Sequence, residues 1–302
     1  MIVDLSGVTN SEIDALGSEL DGLDFSRSER VAFLKATYSC DVQAAPGSGK
    51  TTLLAAKLEL IGRRLQGDHR GVAVVSHTNV ARDEIEARLA PRAGGSLMLR
   101  YPHFVGTLTR FTHDHIALPI MRGMGWPVRV IDDERHNKQA TALLCRSGAA
   151  GWLSNQGRPP KPQLYAEKVR AGAVKIVGDL RLDPDERLQL RPLGNLRDRS
   201  MPTFLALQTA KDELIQAGVI SYADALAGAL YGLRICSGLA ASVARRFPLV
   251  ILDEAQDTGT EALAILDEIQ KAGSTLQRLG DVNQSIYSFD GGAAAWQPRN
   301  RV

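Results

Sequence analysis

The chain has 302 residues, of which 44% are hydrophobic and 23% charged, and its formal net charge is +2. That is the balance of a globular protein with room for two ordinary domains or one domain with a large insertion; so small a net charge neither favours nor excludes a nucleic-acid partner. No apolar run reaches the roughly 18–20 residues that a bilayer span needs, Met1 to Leu23 carries acids without a basic stretch, and the three cysteines, Cys40, Cys145 and Cys236, are odd in number and far apart. A membrane protein, a secretory signal, a disulfide framework and a cysteine metal site are therefore not expected, and a cytoplasmic location with reduced thiols is.

In chain order, the first thirty-odd residues read as polar helix, with Val31, Phe33 and Leu34 at helical spacing. A short strand, Thr37 to Gln43, leads into a glycine-rich loop and an amphipathic helix from Lys50 to about Leu65. A second strand (Gly71 to Val75), a helix (Asn79 to Leu89), a third strand (His103 to Gly106) and a helix (Thr107 to Leu118) come next. Strands alternating with helices predict a parallel sheet with right-handed crossovers. From Pro119 to about Gln216 the rhythm changes to helical periodicity without a buried strand, which reads as a helical insertion. The sheet pattern returns with a strand at Pro248 to Leu252, a helix at Thr260 to Ala272 and a strand at Thr275 to Leu279. The expected division is thus 1–118 and 217–302 as two segments of one α/β domain, with 119–216 inserted between them.

Ala44-Ala45-Pro46-Gly47-Ser48-Gly49-Lys50-Thr51 lies between a strand and a helix. Glycines let backbone N–H groups wrap phosphate oxygens, and the helix turns its positive end toward the same anion. Lys50 supplies a charge to the β- and γ-phosphates, and the Thr51 hydroxyl can ligate Mg²⁺. The phosphate-binding set is Ala45, Pro46, Gly47, Ser48, Gly49, Lys50, Thr51 and Thr52; Ala44 stands where the strict pattern has glycine. An apolar strand ends directly in Asp253-Glu254-Ala255-Gln256-Asp257. Ligands of parallel sheets bind beyond the carboxyl ends of the strands. Asp253 can there hold Mg²⁺, Glu254 can deprotonate an attacking water, and Gln256 can sense or relay a γ-phosphate.

These acids, and the later Gly280-Asp281-Val282-Asn283-Gln284-Ser285-Ile286-Tyr287-Ser288-Phe289, resemble the UvrD/Rep/PcrA-type superfamily 1 helicases. So do Ser76-His77-Thr78-Asn79 with Ala81, Glu84 and Arg88; Val105-Gly106-Thr107-Leu108-Thr109-Arg110-Phe111; and Ile220-Ser221-Tyr222-Ala223-Asp224-Ala225-Leu226. The resemblance implies a RecA-like P-loop fold with an inserted helical subdomain, ATP and Mg²⁺ as cofactors, and single-stranded DNA as partner. It implies Lys50, Asp253, Glu254 and Gln284 as catalytic residues, with Gln284 on the γ-phosphate, and DNA contacts at His77, Thr78, Asn79, Thr107, Tyr287 and Phe289. Aromatic faces stack on any base, which suits Tyr287 and Phe289, although core packing is the alternative for both.

The chain departs from that pattern at Asp290, where the family has arginine, and at Ser26-Arg27-Ser28-Glu29-Arg30, where the adenine-reading glutamine is missing. The sequence also ends at Val302, soon after the Gly280 to Phe289 segment. The expectation is therefore an incomplete motor, hydrolysing slowly or not at all by itself. It would await a second RecA-like domain or a protein partner to supply the arginine that neutralises γ-phosphate charge in the transition state. The alternatives are a non-motor regulatory ATP-binding subunit of a repair or phage-defence complex, or an unrelated P-loop kinase, against which the Gly280 to Phe289 segment argues.

Overall fold

The computed structural model describes residues 4–20, 24–45, 47–65, 69–147, 170–193, 198–281 and Pro298. They fall into two compact units, one within 1–112 and 236–302, the other within 113–235.

The first unit carries a five-stranded sheet: β1 (Cys40–Gln43), β2 (Val72–Ser76), β3 (Phe104–Thr107), β4 (Leu249–Leu252) and β5 (Thr275–Gly280). The strands are all parallel, in the spatial order β1-β5-β4-β2-β3. Every residue of β2 is buried, as expected of a strand covered on both faces, and its sequence is accordingly a continuous apolar run ending in serine. Register brings the carboxyl ends together: Gln43 lies beside Gly280, Arg278 beside Leu252, and Leu252 beside Val75. The chain therefore leaves β1, β4 and β5 at one edge of the sheet.

The helices α1 (Asn10–Glu19), α2 (Ser28–Lys35), α3 (Lys50–Arg64), α4 (Asn79–Leu89), α5 (Ala93–Met98) and α6 (Leu108–Thr112) belong to the same unit. A capping box starts α1, with Thr9 and Glu12 each bonding the other's backbone N–H. The expectation of an amphipathic α3 is corrected, because the helix is buried from Thr52 through Gly62. Its charged residues are buried with partners. Lys57 donates to the Phe33 and Ala36 carbonyls at 2.6 and 2.7 Å, capping the end of α2. Glu59 accepts from Arg63 Nε at 2.7 Å and from the Gly94 N–H at 3.3 Å, with a further bond from the Gly95 N–H, and so caps the start of α5. α5 packs that closely because Gly62 and Gly94 have no side chain: a Cβ on Gly62 would collide with the Gly94 carbonyl, and one on Gly94 would come to 2.6 Å from the Glu59 carbonyl oxygen.

Two further expectations are corrected. The first strand starts at Cys40 rather than Thr37, because side chains take the backbone groups before it. Ser39 Oγ accepts the Leu276 N–H at 3.0 Å, and Gln277 Nε2 donates to the Tyr38 carbonyl at 3.0 Å. The single helix expected over Thr107 to Leu118 is α6, then a π-helical turn His113–Ala117, then a helix Leu118–Gly123 with Pro119 in its first turn. Proline has no N–H to continue the ladder, and the wider turn absorbs the mismatch.

The second unit is mainly helical, built on Asp133–Ser147, Pro202–Gln216 and Tyr222–Ile235. It also holds two pairings of two-residue strands, Val130–Ile131 with Val219–Ile220 and Leu182–Asp183 with Gln189–Leu190, where no strand was expected. Two residues are too short to set an alternating pattern. Leu144, Leu190, Phe204, Leu207 and Leu214 form its core. Beside them lies a buried polar network. Lys211 Nζ donates to the Leu180 carbonyl at 2.7 Å and pairs with Asp224, with His136 Nε2 at 2.9 Å. Asp224 also accepts from Ser221 Oγ at 2.6 Å and from the Leu182 N–H at 3.0 Å. Burial and the Lys211 charge hold the His136 imidazole below its ordinary pKa, which suits a neutral acceptor. His113, read from the sequence as a surface residue, is half-buried and stacks on Tyr222 with centroids 5.5 Å apart. No single described helix is long and apolar enough to cross a membrane.

Candidate functional site

The loop after β1 turns on two glycines in the left-handed region, Gly47 at φ 68° and Gly49 at φ 85°, where a side chain would be strained. α3 then starts at Lys50 with no side-chain cap among the described residues, which leaves its first N–H groups for an anion. Ser48 Oγ is buried in the loop and has no hydrogen-bond partner among the described residues. Arg30, which sequence reasoning passed over, donates to the Ser48 carbonyl at 3.0 Å and to the Asp24 carbonyl, tying the loop to the start of α2.

The acids leave β4 opposite this loop. Asp253 is 2% exposed, and its N–H continues the ladder to the Val75 carbonyl at 2.9 Å. Burial, then the adjoining Glu254 charge, push its carboxyl up to about 6. Glu254 sits at φ 53°, a conformation that costs a non-glycine residue about 1–3 kcal/mol. With that backbone, Glu254 Oε2 accepts from Lys50 Nζ at 3.1 Å, across 204 residues of sequence. The same oxygen accepts from Gln256 Nε2 at 2.6 Å, and Gln256 Oε1 accepts the Asp281 N–H at 2.9 Å. A chain of contacts thus runs from the phosphate-loop lysine through the β4 acid to the end of β5. Gln256 was singled out for a relay in the sequence; Asp281, its other neighbour, was not.

Among the remaining candidates, Thr51 is half-buried next to Lys50, while the Thr52 hydroxyl is buried and accepts from Arg88 Nη1 at 2.9 Å. His77 and Asn79 are exposed. His77 and Thr78 line a cavity of about 480 Å³ together with Glu84, Glu254, Gln256 and Asp257. The Thr78 hydroxyl caps α4 by accepting the Ala81 N–H at 3.1 Å, and the Thr107 hydroxyl accepts the Arg110 N–H at 3.2 Å in the same manner. Both hydroxyls set the direction of a helix as it leaves the sheet edge. Ala45 and Gly47 are exposed, and Ser48 and Gly49 half-buried, on the loop. Pro46, Gln284, Tyr287 and Phe289 lie outside the described residues, as does Asp290.

A parallel sheet that sets a glycine loop, its lysine and an acid pair at the carboxyl ends of nearby strands defines a RecA-like P-loop fold. Within that class, the chain belongs to the UvrD/REP helicase N-terminal domain family, whose model matches residues 25–296. It is 25% identical to the ATP-dependent DNA helicase UvrD1 of Mycobacterium leprae over 299 residues, 93% of this chain and 35% of that protein. It is likewise 25% identical to UvrD1 of Mycobacterium bovis over 289 residues, 90% of this chain and 34% of the relative. The RecBCD enzyme subunit RecB of Mycolicibacterium smegmatis is 30% identical over 148 residues, 46% of this chain and 13% of that one. The chain spans about a third of the length of the UvrD1 relatives it matches.

Proposed function

We propose that this chain is the ATP-binding and ATP-hydrolysing core of a DNA helicase or translocase that acts on single-stranded DNA in the cytoplasm. The observation that carries the reading is the 3.1 Å approach of Lys50 Nζ to Glu254 Oε2 beside the buried Asp253. The glycine cradle, the uncapped helix start and the orphaned Ser48 hydroxyl fit a phosphate chain. Two adjoining carboxylates, one of them pushed up to about 6, fit a divalent cation. Thr51 and Asp253 would hold Mg²⁺, which when bound neutralises charge on the phosphate oxygens.

The chain's own residues do the rest. Lys50 exchanges Glu254 for the β- and γ-phosphates. Glu254, released from Lys50, takes a proton from the attacking water as its oxygen bonds the γ-phosphorus and the bond to the ADP oxygen breaks. Gln256, bonded to both Glu254 and the Asp281 N–H, links the hydrolytic acid to the end of β5, from which Gln284 would reach the γ-phosphate. The DNA contacts would come from His77, Thr78, Asn79, Thr107, Tyr287 and Phe289, and the similarity to RecB supports a complex with a further chain. The test is ATP turnover by the chain with and without single-stranded DNA, beside Lys50→Ala. Slow turnover, raised by DNA and abolished by the substitution, is expected; turnover indifferent to both DNA and Lys50 would overturn the proposal.

A further inference from the structure

The phosphate loop and its acids occupy the carboxyl edge of the sheet; the amino edge carries the opposite charge. Five short segments lead into the strands there, residues 37–39, 69–71, 100–103, 245–248 and 272–274. They hold Arg70, Arg100, Arg245 and Arg246, with His69 and His103, and no acid. Glu268, shortly before the last of them, is paired with Lys271 at 2.8 Å, and Asp68 lies outside the described residues. Positive charge in a chain of net charge +2 is thus gathered at one edge of this unit. Arg246 precedes the middle strand, β4. Its guanidinium carbon lies 4.9 Å from the centre of the Tyr101 ring and 4.7 Å from that of Phe247, and its Nη1 donates to the His69 carbonyl at 3.4 Å. Among the described residues no carboxylate pairs with Arg100, Arg245 or Arg246. His103 Nδ1 accepts the Val72 N–H at 3.0 Å, which leaves the proton on the other ring nitrogen as a donor. Tyr101, a large ring, is nevertheless 79% exposed, and Tyr38 is exposed too. The two tyrosines precede the outer strands, β3 and β1, which stand four strand spacings or roughly 19 Å apart. A helix C-terminus favours cations, which accounts for Arg245 and Arg246 in the last turn of the helix Ser237–Arg246. It does not account for an exposed ring backed by a guanidinium. A ring held in that way offers its other face to a stacking base, and the arginines beside it suit phosphates. An acidic peptide would engage the arginines and leave Tyr101 without a role.

We infer that the amino edge of this sheet is a second surface for single-stranded nucleic acid, with Tyr101 stacking on a base and Arg100, Arg245 and Arg246 holding phosphates. It lies at the other end of the strands from the nucleotide loop and from His77, Thr78, Asn79 and Thr107, and rests on neither. The test is the fluorescence anisotropy of a labelled oligothymidine with the whole chain, without nucleotide, over a series of salt concentrations. It is repeated for Tyr101→Ala, Tyr101→Phe, Arg100→Ala with Arg245→Ala, and His77→Ala, all at exposed side chains. Tyr101→Ala is expected to weaken binding about tenfold without changing its salt dependence, and Tyr101→Phe to retain it. The arginine pair should weaken binding and lower the slope of log affinity against log salt by about 1.4, roughly 0.7 for each phosphate released. Binding that only His77→Ala weakens, or that none of the amino-edge changes alters, would overturn this inference and leave the proposed function standing. Oligoglutamate that competes as well as unlabelled oligothymidine, with Tyr101→Ala without effect, would overturn the nucleic-acid strand in favour of an acidic protein partner.

Discussion

Asp224 offers a sharp test of how the second unit is held together. Its carboxylate is 1% exposed and gathers Lys211, Ser221 and the Leu182 N–H, which come from three separate stretches of that unit. Removing one partner of a buried ion pair strands the other charge, at about 3–5 kcal/mol. Asp224→Ala leaves the Lys211 ammonium, among the described residues, with only the Leu180 carbonyl and His136 Nε2, and leaves the Leu182 N–H without its acceptor. For a unit of this size the loss corresponds to a fall of roughly 10–20 °C in its melting temperature. Lys211→Met alone should also destabilise, because it strands Asp224. The two changes together should cost about 2 kcal/mol or more less than their sum, since neither charge is then left alone. The assay is a double-mutant cycle in urea, with hydrogen exchange of peptides within 133–147 and 202–216 to assign the transition to this unit. A cost below about 1 kcal/mol for Asp224→Ala, or strict additivity with Lys211→Met, would refute the reasoning.

The remaining predictions concern the first unit and its site. Burial holds the Lys57 ammonium down to about 7, whereas burial holds the Cys40 thiol up to about 11. Between pH 7 and the unfolded lysine value the unfolded chain carries the extra proton, so the Lys57 penalty is full below pH 7 and is relieved as pH rises. Above about pH 9 Cys40 acts in the opposite sense, because the folded thiol keeps a proton that the unfolded one loses. Stability should therefore rise by roughly 1–2 kcal/mol from pH 7 to 9, and Lys57→Met should flatten that slope in urea melts at each pH. Gly62→Ala should destabilise by about 1–3 kcal/mol through its collision with the Gly94 carbonyl. A melting temperature equal to that of the unsubstituted chain would contradict the packing described.

Much of the sheet could be read in advance because its strands are buried on both faces and so appear as short apolar runs between turn residues. α4 was legible to the residue, since Thr78 caps it and Ile85 and Leu89 mark its buried side. The phosphate loop and the acids were legible because their chemistry is local in sequence. The misreadings have particular causes. The helix from Lys50 was expected to be amphipathic, yet its Lys57 and Glu59 are buried and serve as caps for α2 and α5, and a cap on a neighbouring helix leaves no trace in the periodicity of its own. Asp224 lay within a recognised segment, but its partners His136 and Lys211 stand 88 and 13 residues earlier, at spacings that no local pattern exposes. Among the described residues Arg30 binds only carbonyls, so nothing in its neighbours' identity pointed to it.

The central claim is that Lys50 and Glu254 meet at one triphosphate, the lysine to bind it and the acid to activate water. Calorimetric titration of the chain with ATP and Mg²⁺ tests this directly when the unsubstituted chain is set beside Lys50→Ala and Glu254→Gln. The account predicts that Lys50→Ala weakens binding at least about tenfold. Glu254→Gln should bind as tightly as the unsubstituted chain or tighter, because a neutral amide competes less for Lys50 and repels no phosphate. Equal loss of binding in both variants, or no loss in Lys50→Ala, would contradict it.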